Sequence, residues 1–188
     1  MIPDRRVQKT REAIYAAFLK LLNAKGYDRM TVQDVIDLAN VGRSTFYAHY
    51  ASKEALLEQL CQELFHHLFH QQQEIGFEDY VKHILGHFRE NKDSVASLLL
   101  AKEPYFLLKL SAELEHDVYP QLMATYVPQK VGLPEAFVKQ FIISSFIETL
   151  TWWLHQRQPI TEGELLAYYL QMIGCCPVSY THLRAHET

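Results

Sequence analysis

The chain has little of what stabilises or punctuates other protein classes. Three cysteines stand in 188 residues, Cys61 alone and Cys175 beside Cys176. That is neither a disulfide framework nor a CxxC zinc pattern. Seven glycines and seven prolines fall mostly where helices should stop, and strand-like alternation is scarce, so the fold class expected is all-α. No uninterrupted apolar run approaches the roughly 18 residues that a membrane span needs, and the opening MIPDRRVQKTR lacks the apolar stretch of a signal peptide. The expected location is cytoplasmic, with no membrane partner. Neither a Ser/His/Asp order, nor a paired-carboxylate pocket, nor a phosphate-cradling glycine loop is present, so neither catalysis nor a cofactor is expected. There is no low-complexity segment and no repeat.

What is present is apolar and unevenly charged. Hydrophobic residues make up 48% and aromatics 12%, enough for a substantial core in one or two domains. The formal net charge is -4, yet residues 1–55 carry nine Lys and Arg against six Asp and Glu, a net of +3, leaving -7 on the remainder. A basic head on an acidic body suits local contact with phosphates, which the overall charge conceals.

The most informative stretch is TVQDVIDLANVGRSTFYAHYASK, residues 31–53. Thr31 is a candidate N-cap, with Asp34 three residues on as a capping-box acid at the positive helix end. Val32, Val35, Ile36 and Ala39 share one face at helical spacing. Asn40 tolerates the left-handed conformation of a helix end, so 40–42 reads as a tight turn. In the second short helix Phe46 and Tyr50 lie at i, i+4 on the inner face. Arg43, Ser44, Thr45, Tyr47 and His49 remain outside, all donors suited to phosphate oxygens or base edges. An arginine near the start of such a helix can address guanine O6 and N7 together. Ser52 is expected to cap a third, long helix. Lys53 in its first turn is unfavourable for the dipole unless an anion approaches, so it is expected to contact DNA phosphate.

The pattern T-x3-V-I-x2-A-x-V-x-R-x-T-F-Y-x-H-Y-x-S-K-E-x-L resembles the N-terminal DNA-binding domain of TetR/AcrR-type transcriptional regulators over residues 5 to 60. The resemblance implies a homodimer whose three-helix head reads a palindromic double-stranded operator while a larger C-terminal domain dimerises and responds to an effector. Asn40 stands where glycine is usual, Gly42 where a capping serine is usual and Ser44 where glycine is frequent, which bears on which groups touch bases. The DNA-contacting set is therefore Thr31, Arg43, Ser44, Thr45, Tyr47, His49 and Lys53.

The domains expected are 1–51 as the helix-turn-helix head, 52–174 as the effector-binding and dimerisation domain, and 175–188 as a disordered, non-native tail. The last segment, CCPVSYTHLRAHET, is polar and aperiodic and resembles translated vector read-through. Helices are predicted over 5–25, from Ser52 to about Gln73, and at about 77–91, 92–102, 104–127, 134–156 and 161–174, with Gly26 closing the first and Pro120 ending or kinking the fifth of this set. Arg5 and Arg6 fit either phosphate contact or plain solvation.

Two apolar helices end the fold, and the first of them, 134–156, is apolar over more than one face, which calls for a partner. The dimer interface expected from the resemblance comprises Phe141, Ser145, Thr149, Trp152, Trp153, Leu166 and Tyr169; the alternative is that these helices fill the protomer core. An effector cavity is expected among Phe65, Phe69, Phe88, Tyr105, Phe106, Tyr119 and Phe146, with Tyr126 a further candidate, although aromatic stripes at helical spacing are as a rule plain core. His66, His67 and His70, and the pair His83 and His87, lack completing ligands and are read as polar edges of a pocket or surface, not a metal site. Residues 91–110, with LLLAKEPYFLLKL, and 151–166, TWWLHQRQPITEGELL, also resemble the subset of the family related to the activator of dihydroxyacetone kinase genes. That implies an effector that is a protein or a small molecule, and activation as well as repression. The alternative function is a protein-interaction co-regulator of the same fold.

Overall fold

The computed structural model describes residues 5–69, 76–126, 133–158 and 160–174, and the accounts below concern these residues. The predicted continuation of the long helix to Gln73, His70, the His67 side chain and the tail 175–188 lie outside them. Among the described residues the elements are helical throughout. In chain order they are α1 (Arg5–Lys25), α2 (Val32–Ala39), α3 (Arg43–His49), α4 (Lys53–Phe69), α5 (Phe77–Glu90), α6 (Lys92–Leu100), α7 (Pro104–Glu113), a π turn (Leu114–Val118), α8 (Tyr119–Thr125), α9 (Glu135–Leu154) and α10 (Glu162–Gly174). None of these helices is long and apolar enough to cross a membrane.

The first three helices end where local chemistry tells them to. Gly26, at φ 79°, donates its N–H to Leu22 O over 3.0 Å and closes α1 in the left-handed cap that glycine adopts without strain. At the start of α2 the capping box is complete. Asp34 N–H donates to Thr31 Oγ1 (3.2 Å), and Thr31 N–H donates to Asp34 Oδ2 (2.7 Å). Asn40 takes the left-handed C-cap at φ 52°, ψ 49°, and Val41 N–H reaches back to Ile36 O in a Schellman closure.

Inside, α4 is the axis of the fold. Leu56, Leu57, Leu60, Cys61, Leu64, Phe65, Leu68 and Phe69 are all buried, and α4 packs on α5 and α7. Helix α6 packs on α1, where Ser94 Oγ donates to Asn23 Oδ1 (2.9 Å) and Ser97 Oγ to Leu22 O (3.2 Å), joining the N-terminal helices to the rest of the fold. Helices α9 and α10 pack on each other, and α10 also on α5, with Arg89 Nη2 2.7 Å from Glu162 Oε1.

The predicted 104–127 helix is interrupted by the π turn just ahead of Pro120. A proline there has no N–H for the carbonyl four residues back, and its ring would collide with that carbonyl. The turn widens instead, and Tyr119 N–H donates to Leu114 O, five residues back.

Two stability predictions follow from the caps. Asn40→Gly is expected to be neutral or stabilising, whereas Asn40→Ala should cost about 1 kcal/mol, because an alanine is strained in the left-handed region; chemical unfolding of the two variants checks this. Hydrogen bonds from Lys25 and from Thr31 hold the Asp34 carboxyl below its ordinary value of 3.8. A carboxyl depressed on folding contributes stability that is complete above its unfolded value and lost as pH falls. The melting-temperature gap between wild type and Asp34→Asn should therefore be full near neutrality and close on acidification.

Candidate nucleic-acid interface

Helix α3 has only seven residues, and its N-cap Gly42 offers no side-chain cap. So short a helix does not persist on its own and is held by what it buries. Phe46 is fully buried, and Tyr50, just past the helix end, is buried beside it with ring centroids 6.2 Å apart. The inner pair predicted from i, i+4 spacing is thus in place. With that face anchored, Arg43, Ser44 and Tyr47 are exposed and Thr45 and His49 half-buried on the outer side. Tyr47 lies edge-on to Phe46 at 5.3 Å while 49% exposed, a rigid aromatic on an otherwise polar edge. The side chains on this edge offer hydrogen bonding and, through Arg43, contact between a cation and an anion.

Two of the expected contact residues have work inside the protomer. The Thr31 hydroxyl donates to Asp34 Oδ2 (2.6 Å) while capping α2, so its exposed oxygen is engaged in the head. The Lys53 ammonium donates to the carbonyls of Tyr27 and Met30, each at 3.1 Å, and sits 4.1 Å from the centroid of the Tyr27 ring. The ammonium expected to meet a phosphate is thus held at these carbonyls within the head. At the head of α4 the Lys53 charge is met by the dipoles of two loop carbonyls and by a ring face, and Lys53 ties the 26–31 loop to α4.

Residues absent from the predicted set complete the head. Arg11 Nε donates to the Tyr50 hydroxyl (3.3 Å) and Arg11 Nη2 to Gln59 Oε1 (3.2 Å). Tyr50 donates to the same Gln59 oxygen (2.8 Å), Gln59 Nε2 to Glu63 Oε1 (2.8 Å), and Tyr15 to Glu63 Oε2 (2.8 Å). The sequence signal was there in the i, i+4 pairs Arg11/Tyr15 on α1 and Gln59/Glu63 on α4, both off the apolar stripes.

Relatives of known kind share this head. Residues 14–60 match the model of the bacterial regulatory proteins of the tetR family. Over 70 residues the chain is 46% identical to YxbF, an HTH-type transcriptional regulator of Bacillus subtilis, and over 51 residues 36% identical to TcmR of Streptomyces glaucescens. These alignments take in 35% and 27% of this chain and only 18% and 23% of those relatives. A solved TetR transcriptional regulator from Streptococcus agalactiae is 61% identical, with a TM-score of 0.83 over 92% of this chain and 98% of its own. The chain belongs to the TetR family of helix-turn-helix transcriptional regulators. The dihydroxyacetone kinase operon activator DhaS, at 17% identity and a TM-score of 0.58, shares the fold.

As in the reading head, the TetR-type body divides the predicted residues into those that face outward and those that do not. Phe141, Ser145, Thr149, Trp152 and Tyr169 line an apolar groove of about 520 Å³ along α9 and α10. Phe141 is 50% and Trp152 51% exposed. Trp153 and Leu166 are corrected: both are buried within the protomer, and Trp153 Nε1 donates to Ile160 O (2.9 Å). Tyr169 does both, its ring edging the groove while its hydroxyl donates to Ile142 O (2.7 Å). Tyr168 and Met172, the latter 73% exposed, join the groove and were missing from the expected set, although the period 165, 168, 169, 172 marks them.

Of the expected effector residues, Phe69, Phe88, Phe106, Tyr119 and Phe146 are buried in the core, and Tyr126 stacks near Phe77 with its hydroxyl on Glu78. The expectation of an aromatic cavity is corrected accordingly. Phe65 and Tyr105 alone of the set line a cleft of about 330 Å³ between α4 and α7, with Glu58, Cys61, Gln62, His66, Lys109 and Glu113. Burial pushes the Cys61 thiol up to about 12, so it is a small hydrophobe in that wall. Among the described residues no three His, Cys, Asp or Glu side chains are placed to share a metal; His83 and His87 meet edge-on at 4.6 Å.

The Lys53 geometry makes a prediction. Lys53→Met should lower stability by about 1 to 2 kcal/mol through the two stranded carbonyls, and should leave the salt dependence of DNA binding unchanged. A salt slope shallower by about one ion would restore the phosphate role.

Proposed function

We propose that this protein is a homodimeric transcriptional regulator that lays α3 of each protomer into successive major grooves of a palindromic operator, with Arg43, Ser44, Thr45, Tyr47 and His49 as the contact residues. The observation that carries this reading is the two-sidedness of α3: Phe46 is fully inside, and every side chain on the outer edge except Ala48 can donate a hydrogen bond. An arginine at the first position of such a helix is placed to engage guanine bidentately, whereas the hydroxyls and the imidazole suit phosphates and base edges.

One short helix gains little affinity alone, and a two-fold partner supplies a second half-site one turn away, roughly 34 to 36 Å along the duplex. The α9–α10 groove is the surface on which that partner sits. It is apolar, contiguous and flanked by half-exposed Phe141 and Trp152, the composition of a homodimer seam. The effector, a small molecule or a protein, is given the α4–α7 cleft. There Phe65 and Tyr105 offer apolar contact, and Glu58, Glu113 and Lys109 offer charge. An effector there shifts DNA occupancy by preferring one spacing of the two heads, and by no more than its differential affinity for the two states. Both repression and activation are compatible with this scheme, and the sign depends on operator position.

Two measurements test the scheme. Arg43→Ala should relax discrimination at one base position by about 1 to 3 kcal/mol in binding to duplexes selected from a random pool; an equal loss on every sequence would make Arg43 a phosphate contact instead. Trp152→Glu should convert the dimer to monomer in light scattering and abolish tight operator binding. A Trp152→Glu variant that stays dimeric would move the seam elsewhere.

A further inference from the structure

The weakest point of the reading head is the rotation of α3 about its own axis. At about 1.5 Å rise per residue the helix is roughly 10 Å long, its start lacks a side-chain cap, and Phe46 is the one buried side chain within it, which selects the outer face but leaves its fine angle to other contacts. Yet readout of base edges requires the outer side chains to arrive at fixed azimuth, because hydrogen bonds weaken steeply off line.

We propose that Arg11, Gln59 and the Tyr50 hydroxyl form a clamp that sets this azimuth, making all three positioning residues for sequence readout. The inference rests on α3 being the reading helix. The arrangement is a two-rung ladder between α1 and α4. Arg11 and Tyr15, one turn apart on α1, face Gln59 and Glu63, one turn apart on α4. Tyr50, at the C-cap of α3, hangs on the first rung by two directional bonds, accepting from Arg11 Nε and donating to Gln59 Oε1.

Each member is oriented by the next. Gln59 Oε1 accepts from both Arg11 and Tyr50, and its amide nitrogen is spent on Glu63, so the amide is not free to flip. Glu63 is held from its other side by Tyr15, whose phenol is kept protonated, and so donating, by burial and by that carboxylate. The Arg11 charge is thus answered by Glu63 through one neutral amide. Arg11 also lies 5.8 Å from the Tyr50 ring centroid, so ring and hydroxyl are held by the same side chain. Both supports come from α1 and α4, elements outside the contact edge, so α3 is oriented before DNA arrives.

The test uses the full-length protein, one duplex selected from a random pool by the wild type, and a scrambled duplex of equal length. Tyr50→Phe deletes one hydroxyl and leaves the ring on Phe46; Gln59→Met deletes the shared acceptor in a chain of similar length. Each should lower the ratio of selected to scrambled affinity by about tenfold, leave the salt slope as in the wild type, and retain a cooperative melt. The double variant should lose no more than the worse single one, because both cut the same clamp.

A Tyr50→Phe variant with an undiminished ratio overturns the proposal, as do additive losses. An equal loss on both duplexes with a shallower salt slope makes the cluster a phosphate contact and overturns it too. If Tyr50→Phe fails to fold, Gln59→Met on the half-exposed face of α4 decides by the same criteria. Arg43→Ala separates the two levels. If it too keeps its ratio, Arg43 is a phosphate contact and base readout by α3, on which the clamp rests, loses its support; if it loses discrimination while both clamp variants keep theirs, only the clamp fails.

Discussion

The burial of Phe46 is the constraint on which the head depends. A seven-residue helix with an uncapped start has no independent stability, so α3 exists because one aromatic on its inner face is taken wholly out of water and Tyr50 follows it in. That single commitment decides which side chains remain outside. Moving the buried position by one residue would rotate the exposed set by about 100° and dismantle the donor edge formed by Arg43, Ser44, Tyr47 and their neighbours. Fold and function therefore meet in one packing event: what is hidden determines what can be offered to a duplex.

The rest of the molecule extends that commitment outward. Helix α4 begins with Lys53, which ties down the 26–31 loop, carries the Gln59 and Glu63 rung to α1, buries its apolar stripe in the body, and forms one wall of the α4–α7 cleft. One rigid element thus touches the reading head and the candidate effector site. The groove along α9 and α10 lies on the helices that end the described chain, and its exposed aromatics are the kind of surface that a lone protomer would leave in water at a cost.

Much of this was legible before any coordinates. Thr31 and Asp34 declared the start of α2, Asn40 its end, and the i, i+4 pair Phe46 and Tyr50 the inner face of α3, because each rests on interactions spanning a turn or less. Among the described residues the end of α1 and both limits of α5 and α9 came within a few residues for the same reason. Pro120 announced a break, though not that the chain would answer it with a widened turn.

What stayed hidden depends on distances between elements. Periodicity says that a side chain is apolar, not whether a cavity lies beside it, so Phe88, Phe106 and Phe146 read as pocket wall when they are core. On α9, apolar around more than one face, the period could not tell Trp152, half outside, from Trp153, inside with its indole N–H on Ile160 O. The helix dipole at Lys53 says nothing of the carbonyls more than twenty residues away that its ammonium meets. The polar pairs Arg11/Tyr15 and Gln59/Glu63 are visible at i, i+4, but their meeting with Tyr50 joins three helices and does not follow from spacing along one of them.

The central claim is that two copies of one polar helical edge, backed by Phe46, read a symmetric duplex. The most direct measurement is native mass determination of the complex formed with duplexes enriched from a random-sequence pool. The account predicts an enriched inverted repeat, its half-sites one helical turn apart, carrying two protomers or a whole multiple of two. Absence of any enriched sequence, or a stable complex of one protomer on an asymmetric site, would contradict it.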